Sequence, residues 1–177
     1  WYIDPEPGFR FAADTNRVYV AGVEFANACH EYPIVFAATG DRTVVPVALL
    51  GLKPGQNLFL DAEGKWAARY IPAYVRRYPF ILATDDSRQN YTVCIDEAYS
   101  GFNTAREGQP LLTDDGEQGP LLKRSVEFLR NYQGHAEVTT RFCQRLVELD
   151  VLEPVKADIS TAAGETLSMA GFSCVNR

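Results

Sequence analysis

Histidine is scarce in this 177-residue chain, with only His30 and His135, and methionine occurs once. A facial metal triad would consume both histidines and need an acid such as Glu31 to converge with them. The pair His135 and Glu137 stands at i, i+2 of a predicted helix, where side chains diverge and do not share a metal. The four cysteines, Cys29, Cys94, Cys143 and Cys174, are dispersed without a C-x-x-C pair, which excludes zinc-ribbon and thioredoxin-like motifs. No apolar run approaches the roughly 20 residues that cross a bilayer, since the longest, Val44 to Leu52, contains Pro46. No membrane span is expected. Basic residues are outnumbered 17 to 23, and the net charge of -6 argues against a nucleic-acid partner. There is no G-x-S-x-G elbow, no glycine-rich phosphate cradle, no internal repeat and no heptad array.

What is present is a hydrophobic content of 46%, enough for one sizeable core, so a single domain over 1–177 is expected. Cys94, inside the apolar stretch TVCI, and Cys143, inside a helical apolar row, stand where free cysteine serves as a small buried hydrophobe. These contexts indicate a reduced, cytoplasmic protein.

Along the chain, Arg17 to Phe25 and Tyr32 to Ala37 read as strands joined by a helical turn at Ala26 to His30. Val44 to Leu52 is apolar on both faces and reads as a central strand, provided Pro46 sits where the ladder needs no donor. Lys53-Pro54-Gly55-Gln56 has the residues of a type II turn, and Asp61 to Gly64 marks another between short strands at 57–61 and 65–70. Ile71-Pro72 opens a helix of about two turns, AYVRRY, which Pro79 ends. Phe80 to Ala83 and Tyr91 to Ile95 read as a hairpin around DDSRQN. Ala98 to Gly119 is polar and turn-rich and reads as a long surface loop with a short strand at Leu111-Leu112. Pro120 then opens a long amphipathic helix, with Gly134 as a candidate break and Glu153-Pro154 as its end. A closing hairpin pairs Val155 to Ile159 with Thr166 to Phe172. The fold class is therefore α+β, a curved, mostly antiparallel sheet of short strands with one long helix, about 120–150, packed on it.

Three acidic pairs occur, at Asp85-Asp86, Asp96-Glu97 and Asp114-Asp115, and turn chemistry accounts for two of them. Asp114-Asp115-Gly116-Glu117 lacks the alternation of a calcium loop and stands just before the positive end of the helix. Asp96 and Glu97 differ, because they stand at a strand end opening the long loop. Arg76-Arg77 is the compact basic feature, flanked by Tyr70, Tyr74, Tyr78 and Phe80. Guanidinium forks beside phenols suit an anionic ligand or a partner's carboxylate. The structural alternative pairs these arginines with Asp96, Glu97 or Glu24. The candidate binding set is Arg76, Arg77, Tyr74, Tyr78, Asp96 and Glu97, with no metal and no cofactor assigned.

The blocks EYPIVF, VVPVALLGLKPGQNLFLDAEGKW, ARYIPAYVRRYPFIL, CIDE and VLEP resemble the SapC family of bacterial proteins, named for surface-layer loci, over about Val18 to Val175. The resemblance implies a family domain that continues beyond Arg177 into a further helical segment. It also implies gene neighbours encoding outer-membrane receptors, flavin-dependent halogenase-like proteins and cupin-like oxygenases. On that basis the expected role is an accessory or binding protein of a surface, uptake or modification pathway with a protein partner. The alternative is a metal-dependent, oxygenase-like or modifying enzyme built on His30 and His135. The resemblance assigns no catalytic residue, and Glu24, Tyr32, Tyr70 and Tyr78 of the shared blocks are open to a structural or a functional role.

Overall fold

The computed structural model describes residues 1–4, 8–40, 42–84, 91–160, 164 and 166–176. In chain order the elements are β1 (Tyr2–Ile3), β2 (Arg17–Tyr19), α1 (Phe25–Ala28), β3 (Ile34–Gly40), β4 (Thr43–Leu49), α2 (Ala73–Arg76), β5 (Phe80–Thr84), β6 (Tyr91–Ile95), β7 (Phe102–Asn103), β8 (Gln109–Pro110), α3 (Pro120–Glu148), β9 (Leu152–Ser160) and β10 (Thr166–Val175). The class is α+β as the sequence predicts, but among the described residues the strands form three antiparallel sheets rather than one. They belong to two compact units, one made of Trp1–Gly8 and Val75–Gly134, the other of Phe9–Tyr74 and His135–Arg177.

The second unit holds a five-stranded sheet in the order β2-β4-β3-β10-β9. β4 lies inside it, as its two apolar faces require. Alternate residues divide between those faces. Val35, Ala37 and Val47 cluster on one side with Phe172 and Cys174, while Phe36 packs on the other against Cys143 and Leu146 of α3. Pro46 is accommodated because β2 stops at Tyr19, paired with Val47. The Pro46 carbonyl accepts the Val20 N–H just past that end, so the missing proline donor faces a place where the ladder has finished. Pro154 lies within β9 rather than at the end of α3, and β9 is an edge strand, which tolerates the loss of a donor.

Helix α3 runs unbroken through Gly134, whose missing side chain no neighbour approaches within 4 Å. It ends earlier than Pro154 suggests. Asp150 takes φ +54°, and the N–H groups of Asp150 and Val151 bond back to the carbonyls of Val147 and Leu146. This is the Schellman pattern with aspartate in the position glycine usually fills. The predicted strand Arg17 to Phe25 also breaks early, because Gly22–Glu24 forms a 3-10 turn leading into α1. The predicted strands at 57–61 and 65–70 reduce to one bridge, Leu60 to Trp66. Asn57 Oδ1 accepts the Phe59 N–H, and Asp61 Oδ1 those of Glu63 and Lys65, so side chains satisfy donors that a ladder would otherwise use. The turn at Pro54-Gly55 is observed, with Gly55 at φ +71°.

The first unit contains the predicted hairpin of β5 and β6, in register from Phe80↔Ile95 to Thr84↔Tyr91. Its turn, with Asp85-Asp86, lies outside the described residues. Cys94, which the apolar run TVCI predicts to be buried, is exposed on the two-stranded sheet of β5 and β6. The stretch from Ala98 to Gly119 is not a free loop. Its strands β7 and β8 flank β1, and its Tyr99 and Leu111 are buried with Ile3, Phe80 and Leu129. Excising it would remove part of the core. Asp114 to Glu117 forms a tight turn closed by Thr113, whose N–H and hydroxyl reach the Glu117 carbonyl, rather than a cation loop.

Candidate anion-binding site

The first unit carries an open cavity of about 290 Å³ around the predicted arginines. Arg76 ends the single turn of α2, and the Phe80 N–H bonds to the Arg77 carbonyl to start β5. That turn holds the two arginines beside α3. The Arg76 guanidinium lies over the Phe128 ring, 5.2 Å from its centroid, and that of Arg77 over the Tyr132 ring at 5.4 Å. Phe128 and Tyr132 are four residues apart on the helix and so share a face. Each stacking contributes about 0.5–1 kcal/mol at such partly exposed positions. From one turn earlier on α3, Arg124 and Ser125 also line the cavity. The apolar wall comes from Ile3, Phe80 and Leu121.

Tyr78 and Tyr99 complete the lining. Their rings meet edge to face at 5.3 Å. The Tyr78 hydroxyl donates to Asp96 Oδ2 at 2.8 Å, while Asp96 Oδ1 accepts the Ala98 N–H at 3.0 Å. Asp96 is therefore a positioning residue for Tyr78 and a turn cap rather than a charge facing the cavity. Burial, then the hydrogen bond and charge of Asp96, push the Tyr78 phenol up to about 12, and burial with Asp4 does the same for Tyr99. Both phenols are neutral near pH 7.

Of the candidate binding set, Arg76, Arg77 and Tyr78 line the cavity and Asp96 stands behind it. Tyr74 and Glu97 are exposed and outside the lining. Arg124 and Ser125 were not singled out by the sequence reading. The signal lay in the helical spacing 124, 125, 128, 132, which reads as an amphipathic face until the partner element is known. The alternative pairing of the arginines with Glu24 does not hold for Glu24. Its carboxylate accepts the N–H groups of Ala21 and Ala73, at 2.8 and 2.7 Å, and the Tyr70 hydroxyl at 2.7 Å, inside the second unit.

The remaining shared-block residues join that framework. Glu31 accepts the Arg69 and Tyr70 N–H groups at 2.7 and 2.9 Å, and Tyr32 bonds the Tyr70 carbonyl while accepting the Trp66 N–H. Glu31 thus binds backbone, and His30 and His135 are both exposed. Among the described residues no three His, Cys, Asp or Glu side chains form a group suited to a metal ion. The triad that the enzyme alternative requires is not assembled.

Burial pushes three phenols, Tyr32, Tyr78 and Tyr99, up to about 12 in the fold from an ordinary 10.0. Above pH 10 the unfolded chain releases protons that the folded chain keeps. Their stabilisation is complete below that pH and lost as pH rises toward 12. Urea midpoints should fall between about pH 9 and about pH 11.5. A flat profile would contradict the burial of these rings.

A family model described as SapC matches residues 1–177. Comparison with curated proteins and with solved structures gave no match. Among the described residues, no helix is long and apolar enough to cross a membrane.

Proposed function

The chain belongs to the SapC family, and from that premise we propose that it is an accessory binding protein of a bacterial surface, uptake or modification pathway that holds an anionic group in the arginine cavity. One observation carries this reading. The lining combines three guanidiniums, two neutral phenols and a serine hydroxyl with an apolar wall, and contains no carboxylate, imidazole, thiol or amine. General acid–base catalysis needs a group that exchanges protons near the working pH, and nucleophilic catalysis needs a base beside the nucleophile. This lining offers neither and is suited to recognition. In a chain of net charge -6, three guanidiniums also gather at this one lining. A cytoplasmic site of action is part of the proposal, supported by the exposed free thiols of Cys29 and Cys94, a state reducing compartments maintain.

Native mass spectrometry of the protein purified from its own host tests the role. The expected result is a native mass exceeding the denatured mass by a bound small molecule or a protein partner, with the excess lost in R76Q/R77Q. A retained metal ion would overturn the binding reading in favour of catalysis. A retained ligand that survives R76Q/R77Q would overturn the assignment of this cavity.

A further inference from the structure

We propose that two copies of this chain pair edge to edge through β9, antiparallel and centred on Ala157, so that their five-stranded sheets continue into one another. β9 closes the order β2-β4-β3-β10-β9, and among the described residues β10 is its only strand neighbour. It is nine residues long, and Glu153 to Asp158 are all exposed. The opposite edge, β2, has three residues and leads shortly into the 3-10 turn Gly22–Glu24, so it offers no comparable template.

Free strand edges are commonly blunted by lysine and proline, and β9 carries both. Their placement favours one partner, a second β9. Alternate residues of a strand face opposite sides, so Lys156 and Asp158 share one face and Val155, Ala157 and Ile159 the other. A two-fold axis at Ala157 sets Lys156 of each copy opposite Asp158 of the other. Lys156 and Asp158 already meet along the strand, Nζ to Oδ1 at 3.1 Å. The two-fold therefore makes a square of four charges in which every neighbour has the opposite sign. Moving the centre by one residue, to Lys156 or to Asp158, would put like charges directly opposite, which destabilises a pair. Pro154 stands opposite Ser160 at the end of the seam, so its missing N–H costs no bond between 155 and 159.

The other face agrees. Val155, Ala157 and Ile159 pair across to Phe172, Met169 and Leu167 of β10, and with Phe172 and Met169 they line an apolar cavity of about 460 Å³. Val155 is 36% exposed. In this register it lies opposite Ile159 of the other copy, and Ala157 lies opposite itself. The exposed apolar row of each β9 thus gains an apolar partner, and the two cavities adjoin across the seam. An unrelated strand would have to supply both the apolar row and the reversed charges, whereas a second copy supplies both by symmetry.

Sedimentation equilibrium over a concentration series tests the association, and cysteine cross-linking tests the register. The expected mass is that of two chains. The dissociation constant should rise at least about tenfold in K156D, where aspartates face each other, and recover in K156D/D158K. Both positions are exposed, so neither substitution threatens the fold of a single chain. With the exposed thiols removed by C29S and C94S, mild oxidation should link A157C to its own copy, because opposed residues lie within disulfide reach. V155C, which faces Ile159, should not link. The mass of one chain at every concentration would overturn the proposal. A dimer indifferent to K156D, or one linked through V155C and not A157C, would overturn the assignment to this edge and register.

Discussion

Replacing Glu24 with alanine is expected to destabilise the second unit by about 3–5 kcal/mol, because three donors lose their acceptor at once. Glu24 is 4% exposed. Its Oε2 takes the Ala21 N–H, and its Oε1 takes the Ala73 N–H and the Tyr70 hydroxyl. The first of these bonds is half of a capping box at the 3-10 turn, and the other two tie the segment before α2 to that turn. Alanine would leave buried N–H groups with no water to replace the carboxylate, at about 1–3 kcal/mol each. Glutamine is the informative intermediate. It keeps the shape but turns an NH₂ toward one of the donors, so its loss should be about 1.5–3 kcal/mol. Urea unfolding followed by circular dichroism would order the three proteins. With a whole domain commonly stable by about 5–15 kcal/mol, E24A should be near the limit of folding. An alanine variant within about 1 kcal/mol of the parent would show that the network is dispensable.

Gly108→Ala should disrupt the first unit to a similar degree. Gly108 has φ +85°, and a Cβ there would lie 2.3 Å from the Ile3 carbonyl oxygen and 2.9 Å from its carbon. Both are backbone atoms, which cannot rotate away as a side chain would. The β1–β8 register, Tyr2↔Pro110 and Ile3↔Gln109, must open to admit the methyl group. Opening it withdraws Ile3, 2% exposed, from the cluster with Phe80, Tyr99, Leu111 and Leu129. Burial of such a side chain contributes about 1.5–3 kcal/mol. Adding about 1 kcal/mol for the residue forced into positive φ gives an expected loss of about 2.5–4 kcal/mol. Gly116→Ala is the control. Its φ is +80°, yet nothing stands within 4 Å, so only the conformational cost of about 1 kcal/mol should appear. Equal losses for the two would show that strain alone, and not the approach of Ile3, limits position 108. Because Ile3 lines the cavity, G108A should also weaken anion binding, whereas G116A should not.

Local signals of fixed spacing were legible from the chain alone. The continuous apolar run of β4, the paired runs of β5 and β6 and the amphipathic row of α3 each bury one or two faces, and burial imposes its pattern on the residues. The compact pair Arg76-Arg77 among aromatics was legible for the same reason, since its chemistry is concentrated in a few adjacent positions. Less legible was anything resting on a partner far along the chain. Ala98 to Gly119 has the composition of a solvated loop, yet β1, about a hundred residues earlier, pairs with two strands inside that stretch. Cys94 stands in an apolar run but is exposed on its two-stranded sheet. Glu24 looks like an ordinary acid within a strand until Ala21, Tyr70 and Ala73 converge on it.

The α+β class, the long helix, the hairpins and the place of the basic group follow from residue order, because backbone geometry turns that order into periodicity without reference to distant segments. Only the tertiary structure decided that the strands divide among three sheets in two units, that Asp96 positions Tyr78 instead of facing a ligand, and that Arg124 joins Arg76 and Arg77. Those outcomes depend on which surfaces meet. A carboxylate or guanidinium takes its role from the donors, rings and charges that packing brings within a few ångströms, and that information is spread over the whole chain.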